Sequence, residues 1–241
     1  MKKYILLILL ILFSNLILSQ NISIKVKSEK LTEEFVGEFK EGLARVKKNN
    51  KWGFINEKDE IVIQCIYDFA DDFSENLAPV KQNGKYGYID KTGQIVIPIN
   101  LNYLSMGRFF EGRAYYLDYS NEKFGFIDKH GNIVIKANYS SISNGFNNGF
   151  SLVSIDSLWG AIDLEGNIII PINYIYMENF SEGLALAVNR NGKYGFIDKE
   201  GKIAIPFEFE NAKSFKNGQS KVTRDKKEFC INKKGKKIKI H

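Results

Sequence analysis

The sequence predicts an all-β protein, a tandem array of about six three-stranded antiparallel β-meander repeats. Three linked observations carry this. An aromatic–glycine pair recurs at Trp52-Gly53, Tyr86-Gly87, Phe124-Gly125, Trp159-Gly160 and Tyr194-Gly195, at steps of 34, 38, 35 and 35 residues, and Glu228-Phe229 stands at the same phase 34 residues later. A second marker, F-x-[EN]-[GN], starts at Phe39, Phe73, Phe109, Phe146, Phe180 and Phe215. The third is an apolar run after a turn, at 61–63, 95–97, 133–135, 168–170 and 203–205. Self-similarity at one period with markers in fixed order is the signature of a repeat architecture.

Taken in chain order, the first element is an address. Lys2 and Lys3 precede an apolar run from Tyr4 to Leu18, broken by Ser14 and Asn15, with Ser19 as a small residue at the cleavage position. This is the pattern of a secretory signal peptide over residues 1–19. The run falls short of the ~20 apolar residues that span a bilayer, so no integral membrane span is expected after cleavage. Residues 20–34 read as an N-terminal segment or cap strand, and 35–241 as the repeat domain.

Within a repeat, residues 73–101 illustrate the elements. Leu77–Lys81 reads as a strand, Asn83-Gly84 as a hairpin dipeptide and Lys85–Ile89 as a second strand. Asp90-Lys91-Thr92-Gly93 reads as a turn ending in a left-handed residue, and Gln94–Ile97 as a third strand. Pro98, like Pro171 and Pro206 at the same phase, is expected to end the pairing because it has no N–H to donate. In this register Ile89 faces Ile95 and Tyr88 faces Val96. Gly42, Asn76, Gly112, Gly149, Gly183 and Gly218 share a phase, as do Asp59, Gly93, Gly131, Gly166, Gly201 and Gly235; both sets mark positions needing φ > 0. Ala44, Ala78, Ala114, Ser151, Ala185 and Ser220 are always small, which predicts a tight contact between neighbouring units.

The strings NNKWGFINEKDEIVI, NGKYGYIDKTGQIVIP and NGKYGFIDKEGKIAIP, each preceded by F-x-E-[GN]-L-A, resemble the tryptophan–glycine (WG) repeat family of bacterial proteins. The resemblance spans about Glu33 to Ile240. It implies a β-strand repeat array in exported or surface proteins, and it carries no catalytic residue to transfer.

Both faces of each meander are apolar, so each must be covered, and the next repeat is the natural cover. An open stack and a closed six-bladed, propeller-like ring both satisfy this. The last copy favours the open stack: Glu228, Cys230 and Lys239 replace the apolar residues of one face, while Phe229, Ile231, Ile238 and Ile240 keep the other. That assignment assumes a bulge at Lys236-Lys237.

The composition, 44% apolar, 26% charged and 13% aromatic, excludes intrinsic disorder and collagen. The formal charge of +6 is uneven. Residues 1–19 carry +2 and residues 213–241 carry eleven Lys or Arg against two acids, or +9, so residues 20–212 carry 6 − 2 − 9 = −5. A mildly acidic array with a basic last repeat gives no support to nucleic-acid binding. Lysines on a terminal sheet guard against edge pairing; contact with anionic polymers is the functional reading.

Chemistry is sparse. His130 occupies a turn and His241 is the last residue, so neither suits a nucleophilic triad or a metal site. Cys65 and Cys230 align with small or apolar core positions, and a bridge between them would join the first and last repeats. Asp90, Asp128, Asp163 and Asp198 recur at turn starts, where Asp bonds its own backbone. No catalytic residue, metal ligand or cofactor is assigned. The aromatics that depart from the repeat are Tyr103, Tyr115, Tyr116, Tyr119 and Tyr176; the first four cluster in repeat three and form the candidate ligand surface. The expected function is an exported, non-enzymatic binding or scaffold module for an unknown protein or cell-envelope polymer. An envelope-glycan hydrolase or carbohydrate-binding protein is the alternative.

Overall fold

The computed structural model of the chain describes residues 35–238. The chain divides into two units, 1–33 and 34–241. The signal peptide, the cap strand expected over 20–34 and the residues Lys239, Ile240 and His241 lie outside the described residues.

Six antiparallel sheets follow one another along the chain, over residues 35–67, 69–101, 103–139, 141–174, 176–209 and 211–238, and strand order within each follows sequence order. Each sheet has four strands, one more than the sequence suggested. In the second sheet they are Phe69–Ala70, Leu77–Gln82, Lys85–Asp90 and Ile95–Leu101. The added first strand is too short to show a period-2 pattern. It is held by the pairs Phe69↔Lys81 and Ala70↔Val80.

The fourth strand also departs from expectation. It runs through Pro98 instead of ending there. It is the last strand of its sheet, and an edge strand tolerates a missing donor. Its register is irregular: Ile89 faces Ile95, but Tyr88 faces Ile97 and Tyr86 faces Leu101. Ile97, 1% exposed, therefore joins the face of Tyr88, while Ile95 and Val96 turn outward at 56% and 46% exposure. The bulge recurs at the same place in the first, third, fourth and fifth sheets. It explains the glycine of the aromatic–glycine pair. A Cβ on Gly87, Gly125 or Gly160 would lie 2.5–2.6 Å from the carbonyl oxygen of Ile97, Ile135 or Ile170, where the bulged strand crosses.

Five apolar clusters join successive sheets. Among the described residues none of them joins the sixth sheet to the first, which is consistent with an open stack. The core of four interfaces is an aromatic lock. The residue after the aromatic–glycine pair packs on the marker Phe of the next repeat: Phe54 on Phe73, Tyr88 on Phe109, Phe126 on Phe146 and Phe196 on Phe215, at 4.7–4.9 Å between ring centroids. Tyr88 adds a hydrogen bond, its hydroxyl donating to Gly107 O at 2.7 Å. The phase-locked small residues, from Ala44 to Ser220, are all buried, as a close contact demands.

In the last sheet Cys230 faces Ile238 and Ile231 faces Lys237. Ile238 thus shares the Cys230 face and not the Ile231 face. The short final strand carries no bulge, which shifts it by one residue against the expected register. The Cys230 face is otherwise polar, with Lys221 and Glu228 ion-paired at 2.6 Å.

A second tie between repeats is polar. The F-x-[EN]-[GN] marker closes a two-residue turn whose two central residues both have positive φ, as in Glu41 (53°) and Gly42 (87°). Glycine and asparagine adopt this readily, whereas glutamate does so at about 1–2 kcal/mol. The compensation lies in the next repeat. Glu41 accepts hydrogen bonds from Glu75 N and Asn76 N at 2.8 and 3.0 Å, and Glu111 accepts from Asn148 N and Gly149 N at 2.7 Å. Glu75 accepts from Gly112 N at 3.0 Å and Glu182 from Gly218 N at 2.9 Å. Lys91, Lys129 and Lys233 pair with Glu41, Glu75 and Glu182 at 2.9–3.3 Å.

These clamps set an acid limit. Burial raises the Glu41 carboxyl, but Lys91 and the N–H groups of Asn76 and Glu75 outweigh it and hold it below its ordinary 4.5. Glu182 is lowered chiefly by the Gly218 N–H; burial opposes this, and Lys233 adds to the lowering. A depressed folded-state pKa contributes stability above the unfolded pKa that is lost as pH falls through the folded value. The urea midpoint is therefore expected to hold from neutral pH down to about pH 5 and to fall below it. The double variant Glu41→Gln/Glu182→Gln should show a shallower acid fall; an unchanged fall would assign it to other carboxylates.

Candidate binding groove between the fourth and fifth sheets

One interface lacks both ties. Ala161 stands where Phe54, Tyr88, Phe126 and Phe196 form the lock, and Asn148 stands where repeats one, two, three and five carry the clamp glutamate. The side chain of Asn148 donates to its neighbour Asn147. Phe180, the marker Phe of repeat five, has no ring to receive it and lies 5.0 Å from Phe150. It is half-buried, whereas Phe73, Phe109, Phe146 and Phe215 are buried.

A groove of about 520 Å³ opens there, lined by Trp159, Tyr176, Glu178, Asn179, Leu152 and Ser214, with Ser143, Met177, Phe180 and Ser181. Its volume is within the range of small-ligand sites. A second crevice of about 320 Å³ lies on the same interface beside Tyr174 and Phe207. Within the groove the Tyr176 hydroxyl donates to Glu178 Oε1 at 3.0 Å and Ser214 Oγ donates to Glu178 Oε2. Burial and then the adjacent Glu178 push the Tyr176 phenol up, so it stays a neutral donor. Among the described residues lining the groove, Glu178 is the one carboxylate and no basic side chain is present.

The corresponding place between the first and second sheets is occupied differently. Aligned on the marker Phe, Asp71 and Asp72 correspond to Glu178 and Asn179; Arg45 corresponds to Leu152, Arg108 to Ser214 and Trp52 to Trp159. Arg45 Nε lies 2.6 Å from Asp72 Oδ1, an ionic contact without hydrogen-bond alignment, and its NH1 lies 3.4 Å from Asp71. Arg108 reaches the same two acids at 3.4 and 3.6 Å. The Arg45 guanidinium also sits 5.6 Å from the Trp52 ring centre. The interface between the first and second sheets thus holds an Arg–Asp–Asp–Arg network beside a tryptophan, completed by Arg108 of the third sheet, and the groove keeps the tryptophan and a carboxylate while both arginines are replaced.

The aromatics of the repeated pair are mostly structural. Trp52 meets Phe35 at 5.5 Å and Tyr86 meets Phe69 at 6.1 Å, while Phe124 meets Tyr115 at 5.7 Å. Trp159 faces the groove, and Tyr194 packs beside the cluster joining sheets five and six. Of the tyrosines singled out in repeat three, Tyr103 and Tyr116 are brought together at 4.5 Å, Tyr116 being 2% exposed in the core. Tyr115 lies over Gly107 and against Phe124. Tyr119, 67% exposed, is the one left mainly to solvent. Tyr176 belongs to the groove, and its neighbour Glu178 carried no sequence signal beyond standing where Asp71 stands. His130 is exposed on its turn, where its N–H donates to Asp128 Oδ1 at 2.9 Å. Cys65 and Cys230 are unbonded.

Six sheets of one design, tied by recurrent locks and clamps, define a tandem β-repeat protein. The family model described as WG containing repeat matches six times, over residues 34–52, 52–86, 86–117, 124–159, 159–194 and 194–227, and the chain belongs to that family. No curated protein matches it. Among solved structures it is similar to the computationally designed Ika8 protein, at 10% identity and a TM-score of 0.45 over 86% of this chain and 74% of that one. It is also similar to Hsv2 of Kluyvelomyces marxianus (9%, TM-score 0.49, 83% and 79%) and to the WD40 beta propeller domain of Doa1 (12%, TM-score 0.39, 78% and 73%). All three lie below a TM-score of 0.5, so the family assignment rests on the repeat matches.

Proposed function

We propose that the protein is an exported, non-enzymatic binding module that presents the groove between its fourth and fifth sheets to a protein or cell-envelope polymer. The observation that carries this reading is the joint loss of the aromatic lock and the carboxylate clamp at one interface, through Ala161 and Asn148, where the groove opens. Export is supported by the pattern of residues 1–19. Binding in preference to hydrolysis is supported by the carboxylates whose titration is displaced. Those of Glu38, Glu41, Asp68, Asp90, Asp128, Asp163 and Glu182 are all lowered and tied to turns, clamps or surface lysines, whereas a general acid needs a raised pKa.

Ala161→Phe tests the groove. The new ring is expected to draw Phe180 back from Phe150 into the lock used elsewhere, narrowing the cleft. Capture of solubilised envelope fractions by the mature protein should fall about tenfold or more, with the urea midpoint maintained or raised. Equal capture by the variant and the unsubstituted protein would remove the groove from the function.

A further inference from the structure

The repeats supply their own template for what the groove receives. Between the first and second sheets, Arg45 supplies a guanidinium that lies over Trp52 and ion-pairs with Asp71 and Asp72. In the groove Trp159 and Glu178 remain, Leu152 replaces the inner arginine and Ser214 replaces the outer one. The Asn179 side chain, which stands in place of Asp72, has no hydrogen-bond partner among the described residues. We infer that the groove accepts an arginine side chain from a protein partner, whose guanidinium takes the place that Arg45 fills between the first and second sheets. This rests on the groove being the binding site, and it adds the chemistry of the ligand.

Three features favour a guanidinium. Tryptophan is the best cation–π partner, and Arg stacks on it as a plane while forking to a carboxylate. Glu178 holds its present hydroxyl donors in two directions, and the two donors of a guanidinium edge can replace them with charge-assisted bonds. The half-exposed Tyr176, at 45%, provides a second aromatic wall. Glu178 is the one charged side chain among the described residues lining the groove, so the local charge favours a cationic group over an anionic one. A neutral glycan could use the aromatic faces, but it would leave the charge of Glu178 unanswered.

The test uses the mature chain with Trp52→Phe, which leaves Trp159 as the sole tryptophan reporter. The probes are a Gly/Ser-rich peptide with one central arginine, the same peptide with citrulline, and neutral tetrasaccharides of glucose, galactose, mannose and N-acetylglucosamine. The arginine peptide should change Trp159 fluorescence saturably, weaken as salt rises and bind at least about tenfold more tightly than the citrulline peptide. Glu178→Gln should remove that preference. Leu152→Arg, which restores the arginine found at position 45, should abolish peptide binding, whereas Leu152→Met should retain it. Equal binding of the two peptides, saturable binding of a tetrasaccharide without the arginine peptide, or no response to any probe would each overturn the inference. In the last two cases envelope capture that still falls in Ala161→Phe leaves the groove reading standing, and capture that does not fall removes both.

Discussion

Replacing Phe109 by alanine is expected to cost the fold about 3–5 kcal/mol, and the same replacement at Phe180 about 1–2 kcal/mol, although the two residues occupy one motif position. Phe109 is fully buried against Tyr88 in the cluster joining the second and third sheets, so truncation removes its transfer energy and leaves a cavity. The backbone around it is also fixed, because Ser74 Oγ donates to Phe109 O at 2.6 Å and Tyr88 to Gly107 O. Relaxation around that cavity is therefore small. Phe180 faces Ala161 across its interface, leans on Phe150 and keeps part of its ring in the groove. Its removal enlarges an existing opening. Urea midpoints of the two variants measure the difference; equal losses would show that the ring of Ala161's repeat is not what the fourth interface lacks.

The same contrast shows how far the sequence could be read. The period, the left-handed turn positions and the small residues between units follow from residue types alone, since each answers a local backbone or steric demand. Glu41, Glu75, Glu111 and Glu182 at positive φ did not follow, because local preference argues for asparagine there. Their reason is a hydrogen bond to a repeat some 35 residues away. The bulge was hidden for a similar reason. The run at 95–97 is uniformly apolar, so nothing in its pattern says that Ile97 turns inward and Val96 outward. The groove was visible only as a departure. Trp159-Gly160 is among the best copies of the aromatic–glycine pair, and the informative residue is the alanine that follows it. Tyrosines in repeat three drew attention by their number, yet two of them pack on each other in the core.

The basic character of the last repeat is partly spent within the fold. Lys221 pairs with Glu228, Arg224 with Glu208 and Lys233 with Glu182, and Arg224 and Lys237 lie 5.6 and 5.0 Å from the Phe229 ring centre. Such groups cover the apolar residue that ends the array while giving its final sheet a charged surface, which discourages pairing with another chain.

Phe229 also frames the second large effect. Gly87→Ala is expected to destabilise the protein by about 1–3 kcal/mol, beyond what a strand glycine would ordinarily imply, since alanine normally improves such a position. The added Cβ would lie 2.6 Å from Ile97 O and 2.7 Å from Ile99 Cα. Both are backbone atoms of the bulged fourth strand, so a rotamer change cannot relieve them. Either the bulge straightens, which turns Ile97 away from Tyr88, or the strand lifts off. In the last repeat the same position holds a phenylalanine without conflict. There the fourth strand is described over Lys237–Ile238, which pairs with Ile231 and Cys230 without the bulge. The requirement for glycine thus belongs to the crossing strand and not to the turn or to the strand that bears it. Urea unfolding of Gly87→Ala and Phe229→Ala decides this: the first should fall by the stated amount and the second should lose only the contact of a half-buried ring. If Gly87→Ala is neutral, the close approach of the bulged strand cannot be what keeps glycine beside each aromatic.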